Sequence, residues 1–188
     1  MTSKASNKKI LFGVTGSIAA YKTPSIVRSF KQKDYDVQVV LTSGGARFTT
    51  PLTLSTVSGN SVLQSMWDDQ GTWHNHVQLA KNSDLLLIAP ASANCIAKLA
   101  NGLCDEMLYA LYLSSTCPVI VAPAMDLDMW KHASVQRNIA QLVQDGVHVL
   151  EPATGFLASG LEGQGRLPDA EIITAFAEDV LGQSTQAS

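Results

Sequence analysis

The run Leu85-Leu86-Leu87-Ile88-Ala89 is apolar at every position. A half-wet strand would alternate, so this one is expected to be covered on both faces by helices, which means an α/β fold with a parallel sheet. Pro90 follows and has no N–H to give, so the ladder is expected to stop there. Ala91-Ser92-Ala93-Asn94 then places short polar side chains at a helix start, where Ser92 and Asn94 can cap free N–H groups. In an open α/β sheet, ligands bind in the crevice beyond the strand C-termini. On this stretch alone the two residues read as caps. Two further strands with similar endings shift the weight toward a site.

The first of these is Lys9–Val14, which runs into the turn Thr15-Gly16-Ser17 and a helix expected over Ile18–Gln32. Small residues between a first strand and a first helix leave N–H groups at a positive helix end, which suits a phosphate. The turn is neither a dinucleotide fingerprint nor a P-loop, so a mononucleotide phosphate fits better. A tight turn with no ligand fits this segment as well. Strand Tyr35–Leu41 ends at Thr42-Ser43-Gly44-Gly45-Ala46-Arg47-Phe48, and strand Pro118–Ala122 at Pro123-Ala124-Met125-Asp126. Further helices are expected over Pro51–Val57, Asn94–Ala100, Asp105–Leu113, His132–Gln144 and Asp169–Leu181, with a last strand at Val147–Leu150. Glu151–Arg166 carries four glycines and no regular period, so it reads as a long functional or mobile loop. The whole is expected to form a single Rossmann-like, flavodoxin-like doubly wound domain over residues 9–181. A disordered lead-in at 1–8 and a frayed tail at 182–188 flank it.

His74 and His76 stand two apart before a short helix. With no third ligand near, metal binding is not indicated. A histidine at a helix head can be a general base or a plain surface residue. Cys95, Cys104 and Cys117 have no metal spacing, and an odd count argues against a disulfide framework. The chain's net charge of -3 gives no reason to expect nucleic acid or an anionic membrane as partner. No apolar run approaches the length of a membrane span and the first residues lack a signal pattern, so a cytoplasmic protein is expected.

Taken together, these stretches resemble the homo-oligomeric flavin-containing cysteine decarboxylases. That family includes phosphopantothenoylcysteine decarboxylase and the peptidyl-cysteine decarboxylases that modify ribosomal peptides. Pro90–Asn94 resembles the family's PASAN(T) motif, with Cys95 where threonine is usual. Asn101–Asp105 matches the segment after it, Pro123–Trp130 resembles PxMNxxMW, and His76–Lys81 resembles the segment with the active-site histidine. The resemblance covers about Lys9 to Leu181.

It implies FMN as cofactor and a homotrimer, or a dodecamer of trimers, with flavin sites at subunit interfaces. It also implies that Gly16, Ser17, Thr42 and Gly44 lie near the flavin phosphate or ribityl chain. Phe48, Ser92, Asn94 and Met125 would lie along the rest of the cofactor, and His76 would be the catalytic base. Substrate would meet Asn94, Asp126, Met129, Ser159 and Arg166.

Two positions depart from the family. Ser159 stands where phosphopantothenoylcysteine decarboxylases carry a cysteine in the last loop. A thiol of pKa near 8.5 gives up its proton far more readily than an alcohol. The serine therefore implies that reaction stops at the enethiol, the outcome of the peptidyl-cysteine enzymes. Asp126 stands where the family has asparagine, and an ionised carboxylate there would repel a substrate carboxylate. Either Asp126 is protonated with substrate bound, or Arg166 or Lys81 holds that carboxylate. The first expectation is thus oxidative decarboxylation of a C-terminal cysteine on a precursor peptide. The alternatives are a phosphopantothenoylcysteine decarboxylase of coenzyme A biosynthesis and a catalytically incomplete flavin-binding subunit of a mixed oligomer.

Overall fold

The computed structural model describes residues 8–67 and 70–186. Most of the expected lead-in, residues 1–7, lies outside them. Five strands form a parallel sheet in the order β2-β1-β3-β4-β5: β1 is Lys9–Val14, β2 Asp36–Leu41, β3 Leu85–Ala91, β4 Val119–Pro123 and β5 His148–Val149. All of β3 is buried. Leu85, Leu87 and Ala89 enter one apolar cluster while Leu86 and Ile88 enter the other, because successive side chains point to opposite faces. The unbroken apolar run therefore feeds two cores.

On one face lie α1 (Thr23–Gln32), α2 (Pro51–Ser58) and α8 (Ala170–Gln186), which supply Ile26, Phe30, Leu54 and Ile173. On the other lie α3 (His76–Lys81), α4 (Ala93–Ala100), α5 (Met107–Ser114) and α7 (Ala133–Gln144), which supply Ala80, Ile96, Leu108 and Leu142. Strand order reverses between β1 and β3, so the crevice for a ligand opens at their C-terminal ends. The doubly wound α/β fold is as the sequence implied.

Four local expectations are corrected. Pro90 does not end its strand: β3 runs on to Ala91, which pairs with Pro123 after a register shift. Pro90 needs no donor of its own, because its carbonyl accepts from Thr15 and the next carbonyl, that of Ala91, accepts from the Ala124 N–H. The first helix is not continuous. A 3-10 turn over Ile18–Lys22 precedes α1, since Pro24 in the first turn of α1 cannot extend an α ladder back through the turn. The 151–166 stretch is no irregular loop but an antiparallel ribbon of β6 (Ala153–Phe156) and β7 (Glu162–Arg166). Helix α8 continues through Gly182 to Gln186, where a frayed tail was expected from 182; a mid-helix glycine costs only about 1 kcal/mol against alanine, and residues 187–188 lie outside the described residues.

The glycines of β7 explain why its pattern was hidden. A Cβ on Gly165 would stand 2.2 Å from the Met125 carbonyl oxygen, and one on Gly163 2.8 Å from Leu127 Cδ1. The ribbon lies so close to α6 (Leu127–Lys131) and the residues before it that side chains are excluded, and β-propensity is lost with them.

Candidate functional site

Three strand ends and the ribbon build two neighbouring cavities. The first, about 340 Å³, is lined by the turns that follow β1, β2 and β3 and by residues of α4, α5 and α6, among them Gly16, Thr42, Gly44, Ser92, Asn94 and Met129. The second, about 470 Å³, lies between the 3-10 turn and the ribbon and is lined by Ser17, Met125, Asp126, Ser159 and Arg166 with Lys22 and Phe156. Consecutive residues, Gly16 and Ser17, thus face one cavity each.

The first cavity is shaped by backbone. A Cβ built on Gly16 would lie 3.2 Å from the Gly44 Cα, and one on Gly44 3.3 Å from the Gly16 Cα. The two strand-end turns touch, and only glycine leaves the surface open for a ligand to approach the main chain. Thr42 is buried and structural: its hydroxyl donates to the Val14 carbonyl at 3.1 Å and accepts from the Gly45 N–H at 3.1 Å. Ser92 caps α4, accepting from the Cys95 N–H at 3.2 Å. That bond satisfies one of the orphan donors of the helix start; the N–H groups of Ala93 and Asn94, in the first turn, have no acceptor within the helix. Asn94 is exposed at this mouth.

Beneath it Cys95 is fully buried, which pushes its thiol up to about 12. Tyr109, hydrogen-bonded to that thiol, is also held above its ordinary value, chiefly by burial. Lys98 lies 4.9 Å over the Tyr109 ring and pairs with Asp105 at 2.6 Å.

In the second cavity Ser17 donates to the Ala124 carbonyl at 3.2 Å, joining the β1 turn to the end of β4. Asp126 caps α6, accepting from the Asp128 N–H at 3.4 Å. Met125 is fixed by its N–H, which donates to the Gly165 carbonyl at 3.0 Å. Arg166, at the end of β7, reaches Asp169 at 3.4 Å. Asp169 also takes the Lys22 ammonium at 2.9 Å, and that bond holds its carboxyl below the usual range. Ser159 is exposed in the turn of the ribbon.

Three residues expected from the sequence line neither cavity. Phe48 is 44% exposed after a 3-10 turn over Gly45–Arg47. His76 opens α3, its ring 5.6 Å from that of Trp73 and edge-on, with a buried Nδ1 that has no hydrogen-bond partner among the described residues. Lys81, at the far end of α3, lines neither cavity. Sequence reading missed Lys22, Ser43, Lys98, Glu106 and Tyr109. Ser43 stood inside a marked strand end but carried no role of its own; the other four sit within or beside ordinary helical patterns and reach their cavities only through the packing of the helices.

The match to known proteins decides the family. The Flavoprotein family model matches residues 1–182. The chain belongs to the Flavoprotein family. Among curated relatives it is 40% identical over 182 residues to the Bacillus subtilis coenzyme A biosynthesis bifunctional protein CoaBC, covering 96% of this chain and 45% of that protein. The Haemophilus influenzae counterpart is 40% identical over 181 residues, again with 96% and 45% covered. The chain therefore spans under half the length of these relatives.

Among solved structures it is similar to a cysteine-to-serine mutant of PPC decarboxylase complexed with pantothenoylaminoethenethiol, with TM-score 0.81 and 30% identity over 92% of this chain and 97% of that one. It is also similar to the FMN-dependent cysteine decarboxylase SpaF, with TM-score 0.77 and 31% identity over 91% and 96%. FMN, expected from the sequence, is the cofactor, and the residues fit it: two glycines hold the main chain open where two strand ends meet, beside a capped helix start.

Proposed function

We propose that this flavoprotein decarboxylates the cysteine carboxylate of a phosphopantothenoylcysteine-type substrate and releases the unsaturated thiol. The observation that carries the substrate class is the 40% identity, along nearly the whole chain, to proteins named for coenzyme A biosynthesis. It outweighs the precursor-peptide reading drawn from the sequence alone. Ser159 carries the product. It stands where the resemblance places a cysteine, and a cysteine-to-serine mutant of PPC decarboxylase is found complexed with an aminoethenethiol.

A cysteine carboxylate loses CO2 reluctantly because the carbanion has no place for its charge. Bound FMN supplies a two-electron acceptor for the Cβ–S unit. With that unit at the thioaldehyde level, the carboxylate lies β to a C=S group, CO2 leaves, and the enethiol remains. Substrate thus loses CO2 and two hydrogens. Gly16, Gly44, Ser92 and Asn94 hold the cofactor side, while Met125, Asp126, Ser159 and Arg166 hold the substrate side. Lys81 lines neither cavity and Lys22 is held by Asp169 and the Leu167 carbonyl, both at 2.9 Å, which leaves Arg166, 3.4 Å from Asp169, as the cation suited to the substrate carboxylate.

His76 takes the thiol proton, imidazole being the side chain most often used as a general base. Within one chain it lines neither cavity, so it serves a site completed by a second copy in a homo-oligomer.

Ser159 also supports a second reading, a C-terminal cysteine on a peptide, since that reaction ends at the unsaturated thiol. Mass spectrometry of the yellow protein with each substrate in air separates them. Loss of CO2 plus two hydrogens from phosphopantothenoylcysteine, with the peptide unchanged, is expected. Turnover of the peptide alone would overturn the assignment.

A further inference from the structure

Glu106 opens α5 without capping it. Its backbone is extended, with φ -136° and ψ 163°, as at an N-cap, yet its side chain accepts nothing from the first turn of α5. A side-chain cap stabilises a helix, and α5 forgoes it. The carboxylate is turned across the first cavity instead. There Oε1 accepts from the Ser43 N–H at 3.1 Å and from the Ser43 hydroxyl. Oε2 has no hydrogen-bond partner among the described residues, although Glu106 is half-buried.

Lys98 is the one basic side chain among the cavity's lining residues. It is already committed to Asp105 at 2.6 Å and lies over the Tyr109 ring. The cavity therefore presents a carboxylate with a free oxygen and no cation to balance a second anion.

We propose that Glu106 is the acceptor that fixes the polyol chain of the flavin, and so sets which way the cofactor lies. This rests on the FMN reading of the site. A phosphate cannot take the place beside Ser43: it would face a carboxylate, and it would find Ser43's donors occupied. A neutral chain of hydroxyls suits the place, since each O–H can donate to a carboxylate oxygen, and charge-assisted bonds of this kind are the stronger sort. Ribityl hydroxyls over Glu106 leave the phosphate to the Gly16-Ser17 side, away from this carboxylate.

The test titrates the flavin-stripped protein with FMN, riboflavin and lumiflavin, which lacks the polyol, and follows flavin fluorescence. Glu106→Ala should weaken FMN and riboflavin alike by about tenfold, the size of one charged hydrogen bond, and leave lumiflavin unchanged. Glu106→Gln keeps an acceptor for Ser43 and should weaken the same two ligands several-fold, so misfolding of the alanine variant does not decide the matter. The proposal is overturned if FMN tightens relative to riboflavin in Glu106→Gln, because the carboxylate would then only repel phosphate. It is also overturned if all three ligands respond equally, or if none does, because Glu106 would then act on the ring or only brace Ser43. Wild-type protein that binds lumiflavin but neither FMN nor riboflavin overturns it too. Failure to bind any flavin removes the cofactor reading and this proposal together.

Discussion

The Thr15 hydroxyl donates to the Pro90 carbonyl across 2.7 Å and, with its lone pair, accepts the Ser92 N–H at 2.9 Å. One buried side chain at the end of β1 thereby ties down the end of β3 and the cap of α4, the stretch around which the first cavity is built. Thr15→Val keeps the shape and removes both bonds. The Pro90 carbonyl retains the Thr15 N–H at 3.3 Å, but the Ser92 N–H is left unpaired. The expected loss is about 2 kcal/mol of stability, read from urea midpoints, together with weaker FMN binding. A loss of stability with unchanged flavin affinity would show that the tie serves the fold alone.

Gly165→Ala should uncouple the ribbon from the sheet. Its Cβ would meet the Met125 carbonyl oxygen at 2.2 Å, a backbone atom that cannot move without disturbing the Met125–Gly165 hydrogen bond. Faster proteolysis within residues 157–161 is expected, with a cost of about 2 kcal/mol or more from the overpacking. Substrate KM should rise more than FMN affinity falls, because the ribbon lines the second cavity and not the first.

Cys95 predicts an alkaline limb in stability. Burial pushes its thiol from 9.0 up to about 12. A thiol whose folded pKa is raised contributes stability that is complete below the unfolded value and is lost as pH rises toward the folded one. Stability should therefore fall between pH 9 and about 12, and Cys95→Ala should flatten that fall, though Tyr109 adds to the limb in the same direction. In native protein at pH 8, a thiol reagent should modify exposed Cys104 first and Cys95 only on unfolding.

Ser159→Cys should change the product rather than the rate of CO2 release. A thiol at that exposed turn can give the proton that an alcohol withholds, and the two electrons taken up by bound flavin in the oxidative half would then return to the enethiol with it. Mass spectrometry after anaerobic turnover should then show a saturated thiol, which has lost CO2 alone. An unchanged enethiol from the variant would mean that the residue at 159 does not govern the second half of the reaction.

The parts of this molecule that were legible in the sequence are those where local pattern and tertiary role agree. The apolar run of β3 and the small residues at Gly16 and Gly44 need no partner to be read. Pro90 was misread because its carbonyl, not its missing N–H, does the pairing, and Thr15 supplies that from 75 residues away. The ribbon was invisible because its glycines answer to Met125 and Leu127, not to strand propensity. Glu106 and Lys98 were missed for a similar reason: each looks like an ordinary helical surface residue until α5 and α4 are packed against β3. His76 was singled out by motif, and its place off both cavities of one chain became visible only in three dimensions.

The most direct test of the account is a single anaerobic turnover of the yellow protein with phosphopantothenoylcysteine, followed in the flavin's visible band and by mass spectrometry. The account predicts that the band bleaches as one equivalent of substrate loses CO2 and two hydrogens, and that the colour returns only when air is admitted. Loss of CO2 alone, with the colour recovering before oxygen enters, would contradict it.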